Sequence, residues 1–403
     1  MPGPRGGSGV PLDFLPGNRL QLLENGAEFF PALLQAIDAA REEVRLETYI
    51  FECDEIGETV LAALVRAVAR GVRAHLLVDG FGSRDFVLQR MHGVAAAGVE
   101  VEVYRPLRGP WFIPRRHRLR RLHRKLVCCD GRVAFVGGIN ILSDFTRLPG
   151  RRTRQPRWDY AVRIEGPLVR SVQQAMRRLW RLVYWTNVKR RPPPEPRLTA
   201  APRIDPAGPH RAALVLRDNW RHRHDIEHAY LQMLARAREE VWIACAYFFP
   251  GKRFRRALAA CTARGVRVRL VLQGLTDHPI LSQATRALYP WLLRHGIELW
   301  EYHATEMHAK VAVFDDRYAT VGSSNIDPFS LFMAREANVW VDDPGFSQAL
   351  RARIERHVAQ GAVRLDEEGF ARLPRWRKAL SWVVLGWVRL IIGWAGYTRD
   401  MEG

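Results

Sequence analysis

Two stretches of the chain carry the same five residue types at the same spacing. His123, Lys125, Asp130, Gly137 and Asn140 lie in HRKLVCCDGRVAFVGGIN, and His308, Lys310, Asp315, Gly322 and Asn325 lie in HAKVAVFDDRYATVGSSN. Histidine can attack or carry a proton near neutral pH, lysine is a compact cation, and the asparagine amide donates hydrogen bonds without charge. Two such sets brought together suit a phosphate diester. The cations and amides hold the phosphoryl oxygens, one imidazole attacks, and the other protonates the leaving oxygen. Lysine and arginine total 62, yet lysine occurs only at positions 125, 189, 252, 310 and 378, and two of these five are the motif positions. Ammonium and guanidinium differ in shape and hydration, so lysine there reads as a chemical requirement.

The elements that must position these residues follow from strand geometry. Residues i and i+2 of a strand share a face, so each His points with its Lys. The apolar runs Leu126 to Cys129 and Val311 to Phe314 read as buried strands that turn at Asp-Gly or Asp-Asp into a second strand, which ends in a small-residue turn carrying the Asn. Asp130 and Asp315 then fall at strand ends. They belong to the motif's catalytic set but are expected in turn and salt-bridge roles.

Around the motifs, helical and strand patterns alternate, as in an α/β sandwich. Helices are expected over 28–41, 59–70 and 85–97, strands over 43–51, 72–78 and 99–104, and a long helix from Leu168 to about Val188. The second half repeats the first: EEVRLETYIF matches EEVWIACAYFF, ARGVRAHLLVDG matches ARGVRVRLVLQG, and GVEVEVY matches GIELWEY. The expected architecture is therefore two α/β/α sandwich domains facing each other across a pseudo-twofold. Their expected limits are 20–188 and 212–365, with a flexible N-terminus over 1–19, a Pro-rich linker over 189–211 and a Trp-rich tail over 366–403. One asymmetry stands out. Nineteen residues separate Tyr104 from His123, but six separate Tyr302 from His308. The extra residues include Trp111, Phe112, Ile113 and several arginines, a combination suited to a lipid interface.

A formal charge of +20 and a pI near 10.6 call for an anionic partner: nucleic acid, an anionic membrane, or both. The five cysteines are odd in number, lie mostly in apolar runs and lack metal-ligand spacing, which points to a reducing compartment and no structural zinc. No carboxylate cluster suggests a metal, and no cofactor is expected. The N-terminus has no apolar signal region, so the catalytic body is expected on the cytosolic side. The tail from Ala379 to Tyr397 is apolar but broken by Arg389, and its tryptophans at 382, 387 and 394 suit a helix lying in the membrane interface better than a span.

The repeated HxKxxxxD motif followed by a GSxxN-like segment, GGIN in the first copy and GSSN in the second, resembles the signature of the phospholipase D superfamily, with Gly138 standing where the first copy would have Ser. Within it, ETYIF, LLVDGFGS, RDNWRHRHDIE and ACAYFFPG are similar to bacterial cardiolipin synthases of the B type, over about residues 20 to 350. The resemblance implies phosphatidyl transfer from phosphatidylglycerol to the hydroxyl of a second phospholipid through a phosphohistidine, with release of glycerol. It implies His123 as nucleophile and His308 as acid and base. Lys125, Lys310, Asn140 and Asn325 would bind phosphoryl oxygens, and Glu336, eleven residues past Asn325, would orient a histidine, with Asp159 in RWDYAVRIEGP as its counterpart. The implied partners are anionic phospholipids, namely phosphatidylglycerol and cardiolipin, at the cytoplasmic face of the bacterial cell membrane, where the protein would be peripheral. A hydrolytic phospholipase D or a nuclease on the same scaffold would use the same residues; the aromatic wedge and Trp-rich tail weigh against nucleic acid.

Overall fold

The structure, a computed structural model, describes residues 12–107, 120–147, 151–152, 155–188, 205–218, 222–275, 279–327 and 334–366. The first half contributes β1 (Leu15–Glu24), α1 (Asn25–Ala39), β2 (Glu43–Thr48), α2 (Glu55–Ala69), β3 (Arg73–Asp79), β4 (Glu100–Tyr104), β5 (Lys125–Cys129), β6 (Val133–Gly137), β7 (Tyr160–Glu165) and α3 (Leu168–Val188). The second half contributes β8 (His210–Arg217), α4 (Asp225–Arg236), β9 (Glu240–Cys245), α5 (Lys252–Ala263), β10 (Arg267–Gln273), β11 (Glu298–Tyr302), β12 (Lys310–Phe314), β13 (Tyr318–Gly322), β14 (Ala334–Asp342), α6 (Pro344–Gly361) and β15 (Ala362–Leu365).

These strands join in one 16-stranded sheet, ordered β15-β11-β10-β9-β12-β13-β14-β8-β1-β7-β6-β5-β2-β3-β4, with the short strand Arg121–Leu122 paired to β14. Apart from the edge strand β15, the order reads alike from either edge toward the β8–β1 seam, so the seam is where the pseudo-twofold runs. There β1 and β8 pair antiparallel at Leu15↔Ala212 and Asn18↔His210. The two sandwiches thus share a sheet. Helices cover both faces, because β2 and β3, β3 and β4, β9 and β10, and β10 and β11 are parallel and need crossovers.

The cores follow this plan. On one face α3 and α6 cover a single apolar layer running through both halves, from Val162 and Met176 to Val339 and Leu350. On the other face two separate cores lie under α1 and α2, with Phe29, Leu33 and Val60, and under α4 and α5, with Tyr230, Phe254 and Trp340. Asp54 caps α2 by accepting from the N–H groups of Ile56 and Gly57, and Asp343 caps α6 through Phe346 N.

Three expected boundaries shift. The N-terminus is not free up to residue 19: β1 begins at Leu15, and the buried amide of Asn18 donates to Leu15 O and accepts from Leu168 N. A Gly17 φ of +85° bulges the strand, hiding it from an apolar alternation count. The linker ends earlier than 211, because His210 and Arg211 already belong to β8. The helix expected over 85–97 is two short helices, 84–89 and 91–96. The aromatic insertion at 111–113, most of the Pro-rich linker and the Trp-rich tail lie outside the described residues. Among those described, no helix is long and apolar enough to cross a membrane.

Candidate active site

The motifs meet at the C-terminal edge of the parallel strands, on both sides of the seam. His123 and Lys125 enter β5 from one half, and His308 and Lys310 enter β12 from the other. The imidazole centroids of His123 and His308 are 6.5 Å apart. Each backbone is placed by the opposite half: His123 N donates to Arg335 O at 3.0 Å and His308 N to Trp158 O at 2.8 Å.

The side chains are crossed in the same way. His123 Nδ1 lies 3.0 Å from Glu336 Oε1, and His308 Nδ1 lies 2.6 Å from Asp159 Oδ2. Both acids lie at the start of the strand that flanks a seam strand, Asp159 one residue before β7 and Glu336 third in β14, so they are structural counterparts despite different spacing from their Asn. With each Nδ1 held by a carboxylate, the two Nε2 atoms are left for chemistry. Lys125 Nζ donates to His123 O at 2.6 Å, and Lys310 Nζ donates to His308 O, which fixes both ammonium groups beside the rings. Asn140 Oδ1 accepts from Ile50 N at 3.1 Å, and Asn325 is buried at the matching turn.

Electrostatics distinguish the two pairs. Burial depresses both imidazoles; for His123 the Glu336 carboxylate partly offsets this, whereas His308 lies well below its ordinary value because Lys310 and Lys125 add to the effect. Burial also pushes Lys125 down to about 7 and lowers Lys310. Burial raises Asp159 to about 6 against the pull of Lys310. For Glu336 the same burial is outweighed by His123, Lys125 and the Ser323 hydroxyl, so its pKa falls. Sterics match: a Cβ on Gly138 would sit 2.2 Å from Asp159 Oδ1, whereas its counterpart Ser323 donates to the longer Glu336. The Gly that departs from the motif thus makes room for the first half's acid.

Asp130 and Asp315 are at the far ends of β5 and β12, and here the catalytic assignment is corrected. Asp130 accepts from the N–H groups of Arg41, Glu42 and Glu43, and Asp315 from those of Arg238, Glu239 and Glu240, at 2.8 to 3.1 Å. Both have φ near +50° in their hairpin turns. Their partners are backbone amides, not the expected salt bridges, because the turn aims each carboxylate at the exposed start of the neighbouring strand.

Three residues near the histidines were not singled out by spacing. The Tyr49 ring lies 4.9 Å from His123 and 5.6 Å from Lys125 Nζ. Ser323 bonds Glu336. Arg217, paired in register with Glu336, is buried, and its two Nη atoms find no hydrogen-bond partner among the described residues. Tyr49 and Arg217 lie in ETYIF and RDNWRHRHDIE, stretches that carried the resemblance. Among the described residues no group of three or more His, Cys, Asp or Glu could hold a metal ion.

Comparison with known proteins agrees with this geometry. The family model described as "Cardiolipin synthase, PLD-like domain" matches residues 33–180 and 230–358. Cardiolipin synthase B of Escherichia coli K12 is 40% identical over 391 residues, covering 94% of this chain and 90% of that protein. The minor cardiolipin synthase ClsB of Bacillus subtilis 168 is 27% identical over 365 residues, covering 90% and 87%. In fold, the crystal structure of phosphatidylserine synthase from Haemophilus influenzae Rd KW20 superposes with a TM-score of 0.62 over 92% of this chain and 94% of that one, at 13% identity. The chain belongs to the cardiolipin synthase family, whose members carry phospholipase D-like domains.

Proposed function

We propose that the protein is a phosphatidyltransferase that makes cardiolipin from phosphatidylglycerol. The observation that carries this reading is the pair of facing imidazoles, each held at Nδ1 by an acid of the opposite half. Phosphatidylglycerol would lie with its phosphorus between the two Nε2 atoms and its anionic oxygens on Lys125, Lys310, Asn140 and Asn325. His123 Nε2 bonds to phosphorus while the bond to the glycerol oxygen breaks, and His308 gives its Nε2 proton to that oxygen. Glycerol departs. The hydroxyl of a second phosphatidylglycerol then loses its proton to His308 and attacks phosphorus, releasing His123. Throughout, Glu336 accepts the Nδ1–H of His123 and offsets the positive charge of the phosphohistidine.

Both lipids are anionic, in keeping with a net charge of +20. The membrane surface is the place of work, with the protein peripheral on its cytoplasmic face. The test is mass spectrometry of lipid products after incubation with phosphatidylglycerol vesicles, beside a His123→Ala control. Cardiolipin and free glycerol, formed only by the intact protein, are the expected products. Phosphatidic acid in their place would make water the acceptor, and absence of lipid turnover would sink the reading in favour of another phosphodiester.

A further inference from the structure

The large apolar side chains left in solvent among the described residues are concentrated in one half of the chain. Six of seven belong to the first half, on segments that lead from, or return to, the strand ends at the site edge. Phe81, 53% exposed, follows the end of β3, with the Arg121 guanidinium 4.8 Å from its ring. The same strand end is tied to the site, since Asp79 Oδ2 accepts from Leu122 N at 2.9 Å, one residue before His123. Leu88 lies in the short helix that follows. Leu107 stands three residues beyond β4, and Phe145 five residues beyond Asn140. The helix α3 starts at the far end of β7 and runs back across the sheet. Its last turn reaches the site edge, where Asn187 Nδ2 donates to Val103 O at 3.0 Å, so Leu182 and Trp185, 45% and 55% exposed, emerge on the same lip.

The internal repeat isolates this lip. The first half is longer than the second in two places, nineteen residues against six before the motif His, and nineteen against eleven between the motif Asn and the acid. Leu107 opens the first insertion and Phe145 sits in the second. The exposed arginines Arg84, Arg178 and Arg181 lie on the same elements. Behind Leu182 the lip continues into a groove of about 1080 Å³ lined by Leu179, Leu214 and Leu216, with Arg178 and Arg335 among its walls. Soluble monomers rarely gather exposed apolar groups around one opening. Aromatic and aliphatic side chains flanked by guanidinium groups match the acyl boundary and phosphates of an anionic bilayer.

We infer that the first-half lip, with Phe81, Phe145, Leu182 and Trp185 at its centre, is the surface by which the protein enters an anionic bilayer. It aims the mouth at His123 toward the headgroups. The inference rests on the reading of the substrate as a membrane lipid.

The experiment uses the full chain with Phe145→Ser and Trp185→Ser together, both of them outside the motifs. Binding is measured in a His123→Ala background by cosedimentation with vesicles of phosphatidylglycerol and phosphatidylcholine. The lip variant is expected to lose about tenfold or more in partitioning, as removal of two inserted aromatics implies, with Val363→Ser as an unaffected control. With His123 restored, turnover of vesicle lipid should fall in parallel. Turnover of a short-chain phosphatidylglycerol below its micelle concentration should be unchanged. Unchanged vesicle binding would overturn the inference and assign attachment elsewhere, the tail included. Equal loss on the soluble lipid would also overturn it, making the lip part of the substrate pocket. Failure of the unsubstituted chain to turn over the soluble lipid would instead count against the reaction, separately from the binding comparison.

Discussion

His308 Nδ1 lies 2.6 Å from Asp159 Oδ2, so the imidazole of the second half is oriented by an acid of the first, and His123 is held reciprocally by Glu336. Duplication alone would have given each half its own dyad. The crossed arrangement makes the site a property of the seam. β7 and β14 flank the two seam strands and begin beside their acids, and the backbone bonds from His123 N to Arg335 O and from His308 N to Trp158 O fix the crossing.

Replacing either acid with its amide should therefore impair the ring across the seam. Asp159→Asn and Glu336→Gln keep shape but remove the charge that orients a protonated Nδ1 and supports an imidazolium. A loss in kcat of about 100-fold or more is expected, in the range of lost general acid–base assistance, with little change in KM. Removing Glu336's charge should also move the acidic limb of the pH–rate profile to lower pH, because that carboxylate raises His123 against burial. A purely structural role would lower the folded fraction and leave the limb in place.

The chain uses arginine for nearly all its cations, so Lys125→Arg and Lys310→Arg are compositionally mild. They are not geometrically mild. Both lysines are buried, at 6% and 1% exposure, with Nζ donating to the carbonyl of the preceding motif His. A planar guanidinium cannot turn back on that carbonyl and still present a donor to phosphate. Steady-state kinetics should show kcat lower by about 100-fold for each, as for loss of a preorganised donor. Activity within a fewfold of the parent would mean that any cation suffices.

Much of this site could be read from the chain. The i, i+2 pairing of His and Lys, the buried strands and the hairpin turns follow from local alternation, which strand geometry enforces. The internal repeat placed two sets in facing domains. Asp159, which lies nineteen residues past Asn140 where Glu336 lies eleven past Asn325, came through the resemblance and not through spacing, and β7 and β14 occupying like places in the sheet give the physical reason for the pairing. Two features escaped because they depend on contacts between distant segments. Strand β1 begins in a Pro-Gly segment whose pairing is set by β7 and β8. Asp130 and Asp315 share a motif with the histidines, yet spacing could not say which backbone amides their turns would face.

Those two aspartates should prove to be stability residues. Each carboxylate satisfies three N–H groups at the start of the strand beside it, Asp130 at β2 and Asp315 at β9. Asp130→Ala or Asp315→Ala strands those donors and should cost about 1–3 kcal/mol, measured by urea unfolding. Turnover per folded molecule should stay within about twofold, far from the loss expected of a proton carrier. A 100-fold loss at full folding would restore a catalytic role.

Gly138→Ser makes the first motif copy match the second and should damage it. The new Cβ would stand 2.2 Å from Asp159 Oδ1, and that carboxylate is not free to yield because it holds Tyr160 N at 2.8 Å and His308 Nδ1. Relief requires a shift of His308, so activity should fall by at least about tenfold, with a stability loss of about 1–3 kcal/mol for overpacking. Ser323→Gly tests the other side. It creates no clash, but Glu336 loses the hydroxyl that helps keep it ionised. The milder outcome should be a fewfold loss in kcat without loss of fold.

Asp159 also carries a pH signature in stability. Burial raises its folded-state pKa from an ordinary 3.8 to about 6 against the pull of Lys310. An acid with a raised pKa binds its proton more tightly when folded, so its contribution to stability falls as pH rises from about 4 to about 6. His308, depressed by burial and by the two lysines, works in the opposite sense and penalises its charged form at low pH. The unsubstituted protein shows these two opposed slopes on top of those of other shifted groups, among them Asp144, which burial also raises to about 6, and His123, which burial lowers. Asp159→Asn removes one of them, so its stability relative to the parent should improve steadily between pH 4.5 and 6.5, by on the order of 2–3 kcal/mol for a shift of about two pKa units. Glu43, lowered to about 2 chiefly by its Arg45 partner against burial, completes its effect below this window, and Lys125 at about 7 acts mainly above it. Urea midpoints of the two proteins across this range provide the measurement. A constant difference would mean that Asp159 ionises at an ordinary pKa, with its negative charge already opposite His308 at pH 4.5.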